Sequence, residues 1–220
     1  MIPTAITKTI NPRTVGRLSL YRRVLNDLTG RGVKRVFSRD LAILAGVSAS
    51  QVRQDLMHVA SHGTPQNGYS VASLRTAVDR CLGPVSQAHT VLLGAGHLGR
   101  ALLHFFKATR QNLKIEAILE VNPDLIGHQV HDVPVYHEES LEDRVRATGA
   151  RTAILALPDE VAQAQTDRLV AAGVVSILNF TRIRLQVPAH VYVEDNDIQM
   201  SVERVSYYAA MAERKRERGD

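Results

Sequence analysis

Val91–Phe105, VLLGAGHLGRALLHF, sets three glycines at the spacing G-x-G-x-x-G between an apolar run and an amphipathic one. A strand entering a helix through so tight a turn is how a doubly wound parallel sheet begins, so this stretch constrains the fold more than any other. Thr90–Leu93 reads as the strand, and Leu98, Ala101, Leu102 and Phe105 read as one face of the helix. Gly94 permits the turn, Gly96 lets a pyrophosphate approach the backbone, and Gly99 lets helix and strand pack closely. The helix start offers free N–H groups and a positive dipole end to phosphates, which makes Gly94, Ala95, Gly96, His97, Leu98 and Gly99 the candidate cradle of a dinucleotide.

A second strand, LKIEAILE, ends at Glu120, 21 positions after Gly99, near the ~20-residue distance at which an acidic side chain meets the adenosine ribose. Glu120, followed by Val121, would accept from both ribose hydroxyls and repel a 2′-phosphate, which favours NAD over NADP. Apolar segments at 152–158, 174–180 and 191–194, with a helix at 160–172 closed by Gly173, extend the strand and helix alternation into a parallel sheet. Ligands lie beyond the carboxyl ends of such strands, so Leu157, Pro158, Asn179 and Phe180 are candidates for the nicotinamide side. His128, His131 and His137 in GHQVHDVPVYH could bind a metal or move protons, but their spacing fits no standard metal motif and the stretch reads as a solvated loop.

Charge separates the front of the chain from this half. Residues 1–80 carry 12 Lys and Arg against 4 Asp and Glu, whereas the chain as a whole is only +5, an asymmetry that points to nucleic acid or a membrane surface. RLSLYRRVLNDLTG places Leu18, Tyr21, Leu25 and Leu28 at helical spacing up to Gly30. Ser38 is placed to cap a helix carrying Leu41, Ala42, Leu44 and Ala45; Gly46 turns the chain, and Ser48 with Gln51 forms a capping box for the next helix. That is a helix-turn-helix. Val52, Leu56 and Val59 face inward, which leaves Ser50, Gln51, Arg53, Gln54 and His58 outward, with side chains suited to base edges and phosphates in a major groove. Lys34, Arg35 and Arg39 lie where a phosphate backbone could be clamped, and GTPQNGYSV, with Asn67 and Tyr69, reads as the hairpin of a wing. Leu74, Ala77, Val78 and Cys81 mark one more helix, broken at Gly83-Pro84.

No stretch approaches the ~18 continuous apolar residues of a membrane span, and the first residues lack the apolar core of a secretion signal, so a cytoplasmic protein is expected. A single cysteine, Cys81, excludes an internal disulfide. A small NAD-dependent dehydrogenase is an alternative, but it needs a substrate domain of ~50 residues or more, and only about 25 follow the last strand. No Tyr-x-x-x-Lys pair occurs, so an enzyme is not expected and no catalytic residue is assigned. The closing segment places Ile198, Val202, Val205, Ala209 and Ala212 on one helical face after Asp195 and Asp197; it could fold back on its own sheet or exchange with a second subunit.

In RLSLY, LAILAGVSASQVRQDL, NGYSV, GAGHLGRAL, NPDLIG, AILALPDEVAQ, LVAAGVVSILNF, LQVP and the helix after DND, in that order, the chain resembles the Rex family of bacterial redox-sensing transcriptional repressors. The resemblance implies a winged-helix DNA-binding domain (1–82), a Rossmann NAD(H)-binding domain (85–194) and a C-terminal helix with a frayed tail (195–220), swapped between the protomers of a homodimer. It also implies palindromic double-stranded operator DNA, bound in the apo or NAD⁺ form and released by NADH. Arg53 and Gln54 stand where the family has a DNA-contacting Arg-Lys pair, and Glu120 where it has a ribose-binding Asp. Arg17, Phe105 and Asp197 stand at positions that couple the domains, Phe105 where many members have a Tyr near the nicotinamide. This chain departs from the pattern at Gln54, Phe105 and Thr181-Arg182, in the lack of the usual glycines in ASHGTPQ, and in about ten additional residues ahead of Arg17.

Overall fold

A computed structural model describes residues 10–59, 67–83, 88–108 and 113–218. They fall into two compact units that divide after Val85. In the first, α1 (Pro12–Gly30) begins one turn earlier than the leucine spacing suggests, because Asn11 accepts the Thr14 N–H and Pro12 stands in the first turn. Leu18, Tyr21, Leu25 and Leu28 are all buried. α2 (Ser38–Ala45) and α3 (Ala49–Leu56) follow, joined at Gly46, whose φ of +66° lets the chain turn back sharply. Ser38 is not the cap: Phe37 occupies that position without a side-chain bond, and Ser38 is the first helical residue. Ser48 does cap α3, accepting the Gln51 N–H at 3.1 Å, but the returning half of the capping box is absent because the Gln51 amide turns to Asp55.

A two-stranded antiparallel ladder joins β1 (Arg35–Val36) to β2 (Tyr69–Ser70), and α4 (Val71–Leu82) starts at once, capped by Ser70. The described partner of Tyr69–Ser70 is therefore β1; residues 63–66 of the expected hairpin lie outside the described residues. One core gathers the inner faces of the four helices.

The second unit is a seven-stranded sheet in the order β5-β6-β4-β3-β7-β8-β9: β3 (Ala88–Leu93), β4 (Leu113–Glu120), β5 (Gln129–Val130), β6 (Val133–His137), β7 (Thr152–Leu155), β8 (Ser176–Asn179) and β9 (Tyr192–Asp195). Every neighbouring pair is parallel except β5 with β6. Apart from β5 the order is that of a Rossmann sheet, with its reversal point between β3 and β7. Successive side chains of the central strands alternate between two cores: Val91, Leu93, Leu119 and Leu155 on the face of α6 (Leu141–Thr148) and α7 (Asp159–Ala172), and Leu92, Ile118 and Ile154 on that of α5 (His97–Ala108).

Two expectations need correction, and one of two open placements of the last helix is excluded. GHQVHDVPVYH is not a loop but β5, a turn with positive φ at His131 and Asp132, and β6. Toward this edge of the sheet, only Val135 of the stretch is fully buried, so Pro134 and three histidines are tolerated and the apolar signal is weak. On α5 the inward residues are Gly99, Leu103 and, in part, Leu102 and Phe106, while Ala101 and Phe105 are exposed. Gly99 sets that phase: it must face the turn, and its helical neighbours at i+3, i+4 and i+7 follow it inward. The last helix, α8 (Ile198–Arg218), does not fold back on the sheet. Ile198, Val202 and Val205 are 52–70% exposed along a helix about 31 Å long. No helix among the described residues is long and apolar enough to cross a membrane.

Candidate nucleic-acid face and dinucleotide site

The α3 helix is set into its unit by Val52, Leu56 and Val59, all buried, so Ser48, Ser50, Arg53, Gln54 and His58 are exposed. Arg53 reaches toward the Ser38 hydroxyl at 3.4 Å, and the Ser48 and Ser50 hydroxyls share a bond of 2.9 Å. Lys34, Arg39, Gln54 and His58 have no ion pair or side-chain hydrogen bond among the described residues. Arg35 is exposed but tied to the second strand, its Nε donating to the Asn67 carbonyl at 2.7 Å. Tyr69 is a correction: at 9% exposure its ring belongs to the core, opposite its buried cross-strand partner Val36.

Behind this face lies a feature absent from the sequence analysis. Asp55, 1% exposed, accepts from Arg17 Nε and Nη2 at 2.6 and 2.7 Å, from the Tyr21 hydroxyl at 2.8 Å and from Gln51 Nε2 at 3.0 Å. Burial pushes its carboxyl up, but the hydrogen bonds from Arg17, Tyr21 and Gln51 outweigh that and hold it below the ordinary value. Burial first, and then the bond to Asp55, push the Tyr21 phenol well above its ordinary value. Gln51 is consequently half-buried, with one N–H of its amide committed inward and the second N–H and the oxygen left to face a partner. Arg17, expected at a coupling position, has its described partners, Asp55 and Thr14, within its own unit. A signal for the network exists in the sequence: Asp55 falls on the helical face of Val52, Leu56 and Val59, and a carboxylate there demands a donor such as Arg17, one turn before Tyr21.

At the reversal point of the sheet a cavity of about 370 Å³ opens beyond the strand ends. Its lining brings together Gly94, Ala95, Gly96 and His97 with Glu120 and Val121, and across from them Leu157 and Pro158. Gly94 has φ +93°, and a Cβ on it would lie 2.2 Å from the Ala156 carbonyl oxygen; a Cβ on Gly99 would lie 2.1 Å from that of Gly94. These two glycines are steric necessities. Around Gly96 nothing lies within 4 Å of a Cβ position, so its backbone borders open space. Glu120 is bound to the turn itself: Oε2 accepts the Ala95 N–H at 2.6 Å, and Oε1 accepts those of Val121 and Asn122 at 2.8 and 3.1 Å.

Other expected members stand apart from this cavity. Gly99 is buried behind the turn, and Leu98 packs beside it without lining the space. Asn179 is fully buried and spends its amide on the strand end, donating to the Ile183 carbonyl and to Asp195 and accepting from Thr181, so it holds the loop after β8. Phe180 packs on the α5-side core, and Phe105 is 54% exposed on the outer face of α5, its ring edge-on to Phe106. Asp197 caps α8 by accepting the Met200 N–H at 2.9 Å. His137 accepts the Glu139 N–H, and the rings of His104 and His131 lie 5.5 Å apart; among the described residues no three groups converge on a metal position. The cavity also contains Arg100, Glu138, Val161 and Gln165, none of them expected from the sequence.

Residues 9–56 match the family described as putative DNA-binding protein N-terminus, and residues 85–183 match the CoA binding domain family. A redox-sensing transcriptional repressor Rex from Clostridioides difficile (strain 630) is 34% identical over 200 residues, 91% of this chain and 95% of the relative. RSP, a Rex-family repressor, is similar as solved in complex with β-NAD⁺ and operator DNA, with TM-score 0.87, 34% identity and coverage of 97% of this chain and 99% of that one. In its complex with β-NADH the values are 0.82, 33%, 96% and 99%. These relatives are repressors by name, not enzymes. With a relative above 30% identity matched along nearly its whole length, and a solved Rex-family repressor matched over 97% of this chain, the protein belongs to the Rex family.

Proposed function

We propose that this chain is a redox-responsive transcriptional repressor of the cytoplasm, a homodimer that holds palindromic operator DNA when free or loaded with NAD⁺ and leaves it on binding NADH. One observation carries the reading: a single chain joins an exposed Arg53 and Gln54 face, on a helix stapled in place by Asp55, to a glycine turn that steric contact forbids any other residue to make. The residues fit NAD. Gly96 leaves room at the turn, the start of α5 offers N–H groups to a pyrophosphate, and Glu120 lies at the turn with a lone pair on Oε2 left for a ribose hydroxyl. Bound there, the cofactor would supply a charge that differs between its two oxidation states. Leu157 and Pro158 give the crevice an apolar wall, and apolar surroundings disfavour the positive oxidised ring relative to the neutral reduced one.

The exposed stripe of α8 supports a dimer in which each protomer covers the other's helix. Two recognition helices must be about 34 Å apart to enter successive grooves, so a change in dimer geometry is enough to release DNA. Lys34, Arg39 and Arg53 hold phosphates in this reading, while Gln54 and the outer edge of the Gln51 amide face base edges. The test is fluorescence anisotropy on a labelled palindromic duplex that the protein itself has selected from a random pool. NADH should lower the anisotropy and NAD⁺ should not. Retention of the duplex at saturating NADH would overturn the proposal.

A further inference from the structure

Beyond the glycine turn and Glu120, the cavity holds a polar pair whose orientation is fixed. Gln165, 6% exposed, donates from Nε2 to Glu138 Oε2 at 2.7 Å, and its Oε1 accepts from Arg168 Nη1 at 3.2 Å. Arginine can only donate, so the amide cannot be reversed. Arg168 is itself anchored by Glu142, at 2.7 Å to both carboxylate oxygens, and by the Glu138 carbonyl. Glu138 and Gln165 thus present to the cavity a carboxylate acceptor beside the second N–H of the amide. The rest of the wall there is mainly apolar: Val121, Leu125 and Val161.

Resting on the NAD reading above, we infer that the Glu138–Gln165 pair reads the adenine base of the dinucleotide. With phosphates at the turn and ribose at Glu120, the base is the group that meets this wall. Flat apolar surface suits its faces. Its edge carries an amino donor next to a ring-nitrogen acceptor, the complement of a carboxylate beside an N–H, the pattern by which side chains choose adenine in a groove. Hypoxanthine and guanine place a carbonyl oxygen where adenine has the amino group, and Glu138 would repel it.

The experiment titrates the full-length protein with NADH and with the reduced nicotinamide hypoxanthine dinucleotide, followed by calorimetry. The wild type should bind the hypoxanthine form about 10-fold or more weakly. In Glu138→Gln, whose amide can present either oxygen or N–H, the two should fall within about 3-fold of each other, mainly through tighter binding of the hypoxanthine form. Glu120→Gln should weaken both dinucleotides while keeping their ratio, which separates ribose contact from base contact. Equal affinity of the wild type for both, or full discrimination by Glu138→Gln, overturns the base assignment and leaves the NAD reading standing. Binding of neither dinucleotide by the wild type overturns both.

Discussion

Asp55 is the only charged side chain among the described residues that folding removes almost fully from water, and it sits on α3, the helix proposed to carry the DNA contacts. Three partners on two helices converge on it, so it fixes the rotation of α3 against α1 more tightly than apolar packing alone. Removing it leaves the Arg17 charge and the Tyr21 hydroxyl without their acceptor. Because the Arg17 side chain is 23% exposed, water recovers part of the loss, and Asp55→Ala should destabilise the N-terminal unit by about 3 kcal/mol in urea unfolding. The pH dependence has a definite sign. The folded carboxyl lies below its unfolded value, so its contribution is complete above about pH 4 and disappears as pH falls through the folded value. The Tyr21 phenol is raised, so its contribution is complete below about pH 10 and declines above that. Urea midpoints should therefore fall at both extremes in the wild type and less steeply in Asp55→Ala. Gly99 is the other residue on which a fold depends. A methyl 2.1 Å from the Gly94 carbonyl must push α5 off the sheet, so Gly99→Ala should abolish NADH binding and lower the melting temperature of the second unit. An unchanged melt would show that the turn relaxes.

The elements differ in how far their sequences disclosed them. β4 was legible to the residue because its apolar run is buried on both faces and ends in a charge, and α3 was legible because its inward residues recur without interruption. The helix α5 was legible as a helix but not in its rotation. Its polar residues His97, Arg100, His104 and Lys107 share one face, but apolar residues cover the rest of the circumference, and the choice among them was made by a contact between two glycines that carries no hydrophobic signal. The edge strand β5 and its neighbour β6 were hidden by histidines and by Pro134, which stands where β6 pairs only with β5, before its ladder with β4 begins at Val135. Glu138 and Gln165 escaped notice for a related reason: they come from a turn and a helix 27 positions apart, brought together only by the crossover. The α8 stripe was plain in the sequence, but its cover was not. A helix so long, with Val202 and Val205 in water, requires an apolar partner surface. Val202→Asp combined with Val205→Asp should give a monomer in sedimentation velocity and weaken operator binding by about 100-fold, since the two half-sites lose their linkage. A dimer that survives both charges would show that α8 is not what joins the protomers.

At the scale of the whole molecule, the charge asymmetry and the two compact units describe a division of labour whose value depends on coupling. A basic unit alone would hold DNA indifferently to metabolism, and a glycine turn alone would bind a nucleotide to no effect. If NADH and operator act on one equilibrium between dimer forms, linkage makes their effects reciprocal. The factor by which saturating NADH lowers operator affinity must equal the factor by which saturating operator lowers NADH affinity, about 5- to 150-fold for couplings of the usual size. Anisotropy of the duplex measures one side of that cycle and calorimetry of NADH against protein with and without duplex measures the other. Salt must be held constant, because a face carrying Lys34, Arg39 and Arg53 releases counterions on binding and its affinity falls steeply with ionic strength. NAD⁺ should show a factor near one in both directions. Equality of the two factors for NADH at two salt concentrations is the expected result. A duplex affinity that falls without a matching fall in NADH affinity would mean that NADH acts by a process outside this cycle, such as dissociation of the dimer, and the dependence of both factors on protein concentration would then reveal it.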